Sequence, residues 1–95
     1  MTVVHSREMT ITHKEFLRLL PKALNGRHFT KNGNQIVIDD EGILLHINLS
    51  KESVRNIASL SLPTTAVKIE LIDMQEKDAS KFMARFDLAY HKGGG

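Results

Sequence analysis

The feature of this sequence that most constrains its fold is a strand pattern followed directly by a helix pattern, in residues 65–90. Residues 65–73 alternate apolar and polar side chains, as a half-buried β-strand does. Apolar side chains then recur at helical spacing and fall on one stripe of an amphipathic helix. That stripe consists of Ala79, Phe82, Met83, Phe86, Ala89 and Tyr90. Because such a stripe must be buried, the two patterns together predict a helix packed on a sheet.

A helix is also predicted near the start of the chain, where residues 12–15 form a capping box. Thr12 is the N-cap, and the Glu15 amide donates to its hydroxyl while the Glu15 carboxylate reaches back. Asn25-Gly26 favours the left-handed conformation that ends a helix. Pro21 lies inside the pattern and removes one backbone donor, so it predicts a kink or a restart of the helix. The apolar face of this helix consists of Phe16, Leu19, Leu20, Ala23 and Leu24.

Three short runs between these helices predict an antiparallel meander. They occupy residues 27–31, 34–39 and 43–49. Asn32-Gly33 favours a two-residue type I′ turn, because both central residues of that turn need positive φ. Residues 39–42 predict a four-residue second turn.

The predicted turns fix the register of the meander and therefore its two faces. Phe29 is expected opposite Ile36, and Ile36 opposite Leu45. The face that packs on the helices then consists of Phe29, Ile36, Ile38, Ile43, Leu45, Ile47 and Leu49. The open face consists of His28, Thr30, Gln35, Val37, Leu44, His46 and Asn48.

A short third helix is predicted over residues 51–58, with Ser50 as its cap. Its inward side chains are expected to be Val54, Ile57 and Ala58. Pro63 restricts the residue before it, so this helix ends before the last strand. The predicted fold class is a two-layer α+β domain in the order α-β-β-β-(short α)-β-α. Its mainly antiparallel four-stranded sheet, a three-stranded meander plus a fourth strand, carries the helices on one face.

The chain is expected to divide into one domain and two short ends. Residues 1–10 are mostly polar and predict a flexible N-terminal arm or a short added edge strand. Residues 11–92 form the single α+β domain, because 95 residues with 41% hydrophobic content provide one core. Residues 93–95 form a glycine tail.

Composition excludes several classes of function. The chain has no cysteine, and therefore no disulfide framework, thiolate metal site or cysteine nucleophile. No stretch is long and apolar enough for a membrane span, and the first residues lack the pattern of a signal peptide. We therefore expect a soluble cytoplasmic protein with no membrane partner.

No combination of residues indicates catalysis, a metal or a cofactor. The five histidines show none of the usual zinc spacings and are interpreted as solvated, with a metal site or a pH-sensing role as alternatives. The serines lie in no GxSxG context. The acidic run in residues 39–41 fits a tight turn better than a calcium loop. No catalytic residue, metal or cofactor is predicted, and enzymatic activity is not expected.

Basic residues recur along the first predicted helix and beyond its end. The formal net charge is only +2, but residues 1–35 hold six basic residues against two acidic ones. The candidate anion-binding residues are Lys14, Arg18, Lys22, Arg27 and Lys31. Such a stripe can contact the phosphates of a nucleic acid or another anionic surface. Because no aromatic side chain interleaves with it, a solvated helix face is favoured, and nucleic-acid binding is the alternative function.

The chain ends in Gly93-Gly94-Gly95. In its last two residues this end resembles the diglycine terminus of ubiquitin-like sulfur carriers. The resemblance implies a carboxylate on Gly95 that an activating enzyme adenylates. The rest of the chain departs from that family, whose members begin with a β-hairpin and end in a strand. A glycine run is also a natural helix stop, so a carrier acting through Gly95 is the third hypothesis.

The open face of the predicted sheet mixes apolar and polar side chains. An antiparallel sheet can expose one face to water, and a partly apolar face suits a protein partner. The expected partner-binding residues are His28, Val37, Leu44, His46 and Ile72. The function predicted first is a small non-enzymatic interaction module that binds an unknown protein partner, or itself as a homodimer, through this face.

Overall fold

The computed structural model describes residues 2–94, and the side chains of residues 2–91. This part of the chain is a small α+β domain with an antiparallel sheet, as the sequence predicts, and it has two helices where three were predicted. Its elements in chain order are β1 (Val3–Met9), α1 (His13–Ala23), β2 (Thr30–Asn32), β3 (Gln35–Asp40), β4 (Ile43–Leu49), β5 (Ser53–Ile57), β6 (Leu60–Leu71) and α2 (Glu76–Gly94).

The sheet is built on β6. Its strands lie in the order β1-β6-β4-β3-β2, and all neighbouring strands are antiparallel. β5 lies off this path and pairs with the first half of β6. The described residues thus form six strands where four were predicted, because β1 and β5 are strands as well. β6 has 12 residues, which span about 40 Å, in a domain that measures 45 × 26 × 23 Å.

The N-terminal segment is an edge strand. β1 pairs with β6 along its whole length, from Val3 opposite Leu71 to Met9 opposite Thr65. The alternating burial of its side chains shows that one face packs on the domain and the other meets water. The structure therefore has an added edge strand here, which was predicted for residues 1–10 as the alternative to a flexible arm.

α1 begins and ends at its predicted signals. The Thr12 hydroxyl accepts a hydrogen bond of 3.1 Å from the Glu15 amide. At the other end, Asn25 has a φ of 56°, and the Gly26 amide donates to the Pro21 carbonyl at 3.0 Å. This bond and the left-handed residue before it form a Schellman stop. The helix continues through Pro21 to Ala23.

Both turns of the meander differ from the prediction. Asn32 pairs with Gln35, so the first turn is Gly33-Asn34, with positive φ at Gly33. The second turn is Glu41-Gly42, where both residues have positive φ. Two positive φ values define the type I′ turn, which the sequence predicted at Asn32-Gly33 instead.

The observed turns slide each strand by two residues along its neighbour. Ile36 lies opposite Lys31 rather than Phe29, and opposite Ile47 rather than Leu45. Because side chains alternate with a period of two, this slide keeps each side chain on its predicted face. The predicted core face is therefore confirmed. Its buried members are Ile36, Ile38, Leu45, Ile47 and Leu49, and Phe29 and Ile43 pack against them.

Residues 51–58 do not form the predicted short helix. They contain β5, which connects to β6 through Ala58-Ser59. Val54 and Ile57, predicted to face inward, lie on opposite faces of β5 and are exposed. Their β-branched side chains favour a strand. The three-residue spacing between Val54 and Ile57 matches a helix by coincidence, because the segment is too short for periodicity to separate a helix from a strand. The turn lacks glycine and asparagine, so the sequence carries no usual hairpin signal there.

Both helices cover one face of the sheet and meet through aromatic rings. The Phe16 ring stacks on Tyr90 with centroids 4.9 Å apart, and the Phe86 ring lies 4.7 Å from Tyr90. The Tyr90 hydroxyl donates to the Phe16 carbonyl at 2.7 Å. The predicted stripe of α2 is buried throughout, at Ala79, Phe82, Met83, Phe86, Ala89 and Tyr90.

The C-terminal glycines lie only partly within the described residues. α2 extends to Gly94, so it includes two residues of the predicted glycine tail. Gly95, on which the carrier hypothesis depends, lies outside the described residues.

We expect Phe86→Ala to lower the free energy of unfolding by about 3–5 kcal/mol, because it removes a fully buried ring and leaves a cavity. Leu88→Ala is the matched control, since Leu88 lies on the same helix and is 70% exposed. Its cost should stay below about 0.5 kcal/mol. Urea unfolding measures both values, and similar costs would show that the aromatic stripe is not the core.

We expect stability to fall at alkaline pH through Tyr90. Burial raises the pKa of the Tyr90 phenol above its usual value of about 10. Above that pH the unfolded chain loses the phenol proton while the folded chain keeps it, so the free energy of unfolding decreases as pH rises. Tyr90→Phe should flatten this decrease and cost about 1 kcal/mol at neutral pH, through the lost hydrogen bond. Urea unfolding at neutral and alkaline pH tests this, and an unchanged alkaline slope in the variant would contradict it.

Candidate functional site

β5 and the first half of β6 form a two-stranded hairpin, which we call the hairpin arm (residues 53–64). Every side chain of β5 is exposed. β1 ends opposite Thr65 and β4 ends opposite Val67, so no other described strand flanks the arm. The arm therefore has two free backbone edges.

A β-bulge separates the arm from the rest of the sheet. Between the pairs Leu49–Val67 and Ser53–Thr64, the β4–β5 side has three residues and β6 has two. An extra residue of this kind bends the strand and increases its twist. The bulge also reverses which residues point to each side of the sheet. Odd-numbered residues face the helices in β4, whereas odd-numbered residues face the open side in β5.

Polar contacts fasten the base of the arm to α1 and the sheet. Ser50, predicted as a helix cap, donates its amide to the Ala66 carbonyl and accepts from the Ala66 amide through its hydroxyl, both at 2.9 Å. The Thr65 hydroxyl donates to the Ile11 carbonyl at 2.9 Å. His13 Nε2 lies 2.6 Å from the Ser50 carbonyl, a contact that requires the proton on Nε2. The base is therefore held in one orientation.

The arm carries large apolar side chains on both faces. Val54 lies opposite Pro63 on the helix side, and Ile57 lies opposite Leu60 on the open side. The exposed fractions are 65% for Val54, 50% for Ile57 and 60% for Leu60. A two-stranded ribbon is only marginally stable alone, and apolar surface left in water does not stabilise it. These side chains are better suited to contact with a second surface.

One ion pair ties the arm to the opposite edge of the sheet. Arg55 in β5 reaches across β6 and pairs with Glu8 in β1. Both side chains are about half exposed, and an exposed pair of this kind contributes about 0–1 kcal/mol. The contact therefore orients the arm more than it stabilises the fold.

Four of the predicted partner-binding residues lie together on the open face, at the end of the sheet away from the arm. Val37 and His46 form a cross-strand pair, and His46 also faces Glu70. Leu44 and Ile72 are neighbours in the next row, where the Ile72 amide donates to the Leu44 carbonyl at 3.0 Å. These four side chains are half-buried.

His28 is the predicted site residue that the structure separates from the others. It precedes β2 and is exposed, and its backbone amide donates to an Asp40 carboxylate oxygen at 2.9 Å. Because of the slide in register, His28 is not paired with the β3 residue that was expected to lie opposite it. His28 therefore does not extend the row formed by Val37 and His46.

Carboxylates interrupt the basic stripe. Arg18 and Glu15 form an ion pair on α1, and the hydrogen bond from Arg18 lowers the pKa of the Glu15 carboxyl. Arg27 Nε lies 3.8 Å from Glu41 Oε1, and Arg27 Nη1 donates to the Leu24 carbonyl. The other predicted anion-binding residues are exposed, namely Lys14, Lys22 and Lys31. Two of the five cations therefore already have an acidic neighbour.

A cleft of about 550 Å³ beside the first turns of α2 was not predicted. Its charged lining residues are Arg27, Asp73, Asp78, Lys81 and Arg85. Because both signs are present in nearly equal number, the cleft favours neither an anion nor a cation. It defines no ligand class, so the arm is the stronger candidate site.

No protein family, curated protein or solved structure matches the chain. In the described part, neither helix has the length and apolar composition that a membrane span requires. The class of protein is therefore defined by the fold itself, as a small α+β domain with a projecting hairpin.

We expect removal of the ion pair at Arg55 to loosen the arm without unfolding the domain. Arg55→Gln should speed amide hydrogen exchange in β5 by up to about fivefold, and lower the global free energy of unfolding by less than about 1 kcal/mol. Arg18→Gln, which removes an exposed ion pair on α1, is the control and should leave exchange in β5 unchanged. Unchanged exchange in the Arg55 variant would show that Glu8 does not orient the arm.

Proposed function

We propose that the protein is a small non-enzymatic interaction module that binds a protein surface through the hairpin arm. The observation that carries this proposal is the exposure of Val54, Ile57 and Leu60 on one thin hairpin. Among the described residues outside the arm, only Val4 and Leu88 are large apolar side chains of similar exposure. Exposed apolar side chains grouped in this way are typical of interaction sites.

The open face predicted from the sequence is a separate surface. Leu44 and Ile72 lie at the far end of β6 from Leu60, about 40 Å away along the strand. A small interface cannot include both ends. The arm is favoured because its apolar side chains are exposed, whereas Leu44 and Ile72 are half-buried.

Anion binding through α1 remains the alternative proposal. Lys14, Lys22 and Lys31 are exposed and support it. The acidic neighbours of Arg18 and Arg27 weaken it, because a phosphate would compete with carboxylates that are already in place.

The proposal predicts that polar substitutions on the arm abolish partner binding. Ile57→Thr combined with Leu60→Thr keeps strand propensity and removes the cross-strand apolar pair. Leu88→Gln is the matched control, since it removes an exposed apolar side chain from α2.

Proteins retained from an extract by the immobilised chain are quantified for the three forms. A partner should be retained by the unchanged chain and by Leu88→Gln, and fall about tenfold or more with the arm variant, because each buried apolar side chain contributes roughly 1.5–3 kcal/mol. Equal retention by all three forms would refute the proposal.

A further inference from the structure

We infer that the partner of the hairpin arm is a second copy of this chain, joined through the free edge of β5. The inference rests on the proposed function of the arm and specifies its partner. It follows from the backbone of β5, from the charges along it and from the exposure of Val54.

The direction of the backbone groups in β5 follows from Pro63. Proline has no N–H and cannot donate a hydrogen bond to the opposite strand. The pair Val54–Pro63 therefore fits the non-hydrogen-bonded kind of antiparallel pair, in which the missing N–H costs no bond between the strands. The N–H and C=O groups of Val54 then point away from β6. By alternation, Glu52 and Asn56 present their backbone groups at the same edge.

The edge of β5 has neither a proline nor an unpaired charge, two of the features that usually prevent edge-to-edge pairing. β2, another edge strand, has three residues, including Lys31. β5 contains no proline, and its one charged residue, Arg55, is drawn across β6 towards Glu8. A second strand can therefore approach β5 without displacing a charged side chain from its edge.

A second β5 edge complements the first about a two-fold axis, because antiparallel pairing sets the same strand against itself in reverse. An axis at any residue from 52 to 56 keeps outward backbone groups opposite one another. An axis at Arg55 places the two Arg55 side chains opposite each other. An axis at Ser53 places Lys51 opposite Arg55 of the second copy. An axis at Val54 opposes Arg55 to Ser53 and brings no like charges together. An axis at Glu52 opposes the two Glu52 side chains. An axis at Asn56 opposes no like charges, but it sets Val54 against Ala58, a turn residue with a φ of 53° that does not continue the strand. Since like charges directly opposite are destabilising, the axis lies at Val54.

This pairing changes the stability of the arm. Two ribbons become one four-stranded sheet, and a sheet of three or more strands reaches the size that stable sheets require. The two Val54 side chains, each 65% exposed in the monomer, become direct cross-strand neighbours. The same pairing covers the free β5 edge in both copies.

Because the chain has no cysteine, single-cysteine variants report the position of the axis directly. With the axis at Val54, the two Cα atoms of residue 54 lie about 5.5 Å apart, within disulfide range. The corresponding atoms of residue 53, or of residue 55, lie about 8 Å apart, beyond that range. Under mild oxidation, Val54→Cys should form a disulfide-linked dimer, and Ser53→Cys and Arg55→Cys should form about tenfold less. Ser6→Cys tests pairing through β1 instead.

Sedimentation equilibrium provides the second measurement. The mass of the unchanged chain should double as concentration rises, and Val54→Thr should behave in the same way. Val54→Pro should stay monomeric, because it removes the outward N–H without removing a ladder bond of the arm. Urea unfolding checks that this variant is folded, and if it is not, the cysteine series decides.

A monomer at every concentration would overturn the inference. So would dimerisation by a folded Val54→Pro variant, or preferential cross-linking at residue 53, 55 or 6. The proposed function is decided separately by the retention experiment with Ile57→Thr and Leu60→Thr, because an arm that binds a different protein would pass that test and fail this one.

Discussion

The backbone ladder of β6 is the interaction on which the rest of the structure depends. Its second half pairs with β1 on one side and β4 on the other. Because both edges are occupied there, Val67, Ile69 and Leu71 are fixed in register and buried beneath the helices. Its first half pairs with β5 alone. One continuous strand therefore forms both the centre of the core and half of the exposed arm.

The core was predictable because it depends on periodicity more than on exact register. Ile36 met a different partner from the one expected, yet it remained on the core face, since each strand moved by two residues. The stripe around Phe86 and Tyr90 was likewise read from helical spacing alone. Strong local signals, such as the Thr12 cap, also appeared where expected.

The arm could not be predicted because its turn, Ala58-Ser59, carries no usual hairpin signal and the residues before it resemble a capped helix. Val54 and Ile57 show a helix-like spacing over five residues, and Ser50 precedes them as a helix cap would. In the structure Ser50 anchors a bulge by bonding to Ala66, a contact that no local pattern indicates. The exposure of the arm could not be predicted either, because it depends on where β1 and β4 end along β6. The candidate site therefore lay outside the residues predicted from the sequence.

The rigid base and exposed tip of the arm have a consequence for binding. Association costs free energy when side chains and loops must become ordered at an interface. Here the hydrogen bonds of Ser50 and Thr65 fix the base before any partner arrives, and the ladder with β6 fixes the strand. The backbone of the arm is therefore already ordered when it meets another surface. A few apolar side chains, such as Val54 and Leu60, can then contribute most of their burial free energy to binding. The same residues on a flexible loop would lose much of that contribution to ordering, which is why the β structure of this segment matters for its proposed role.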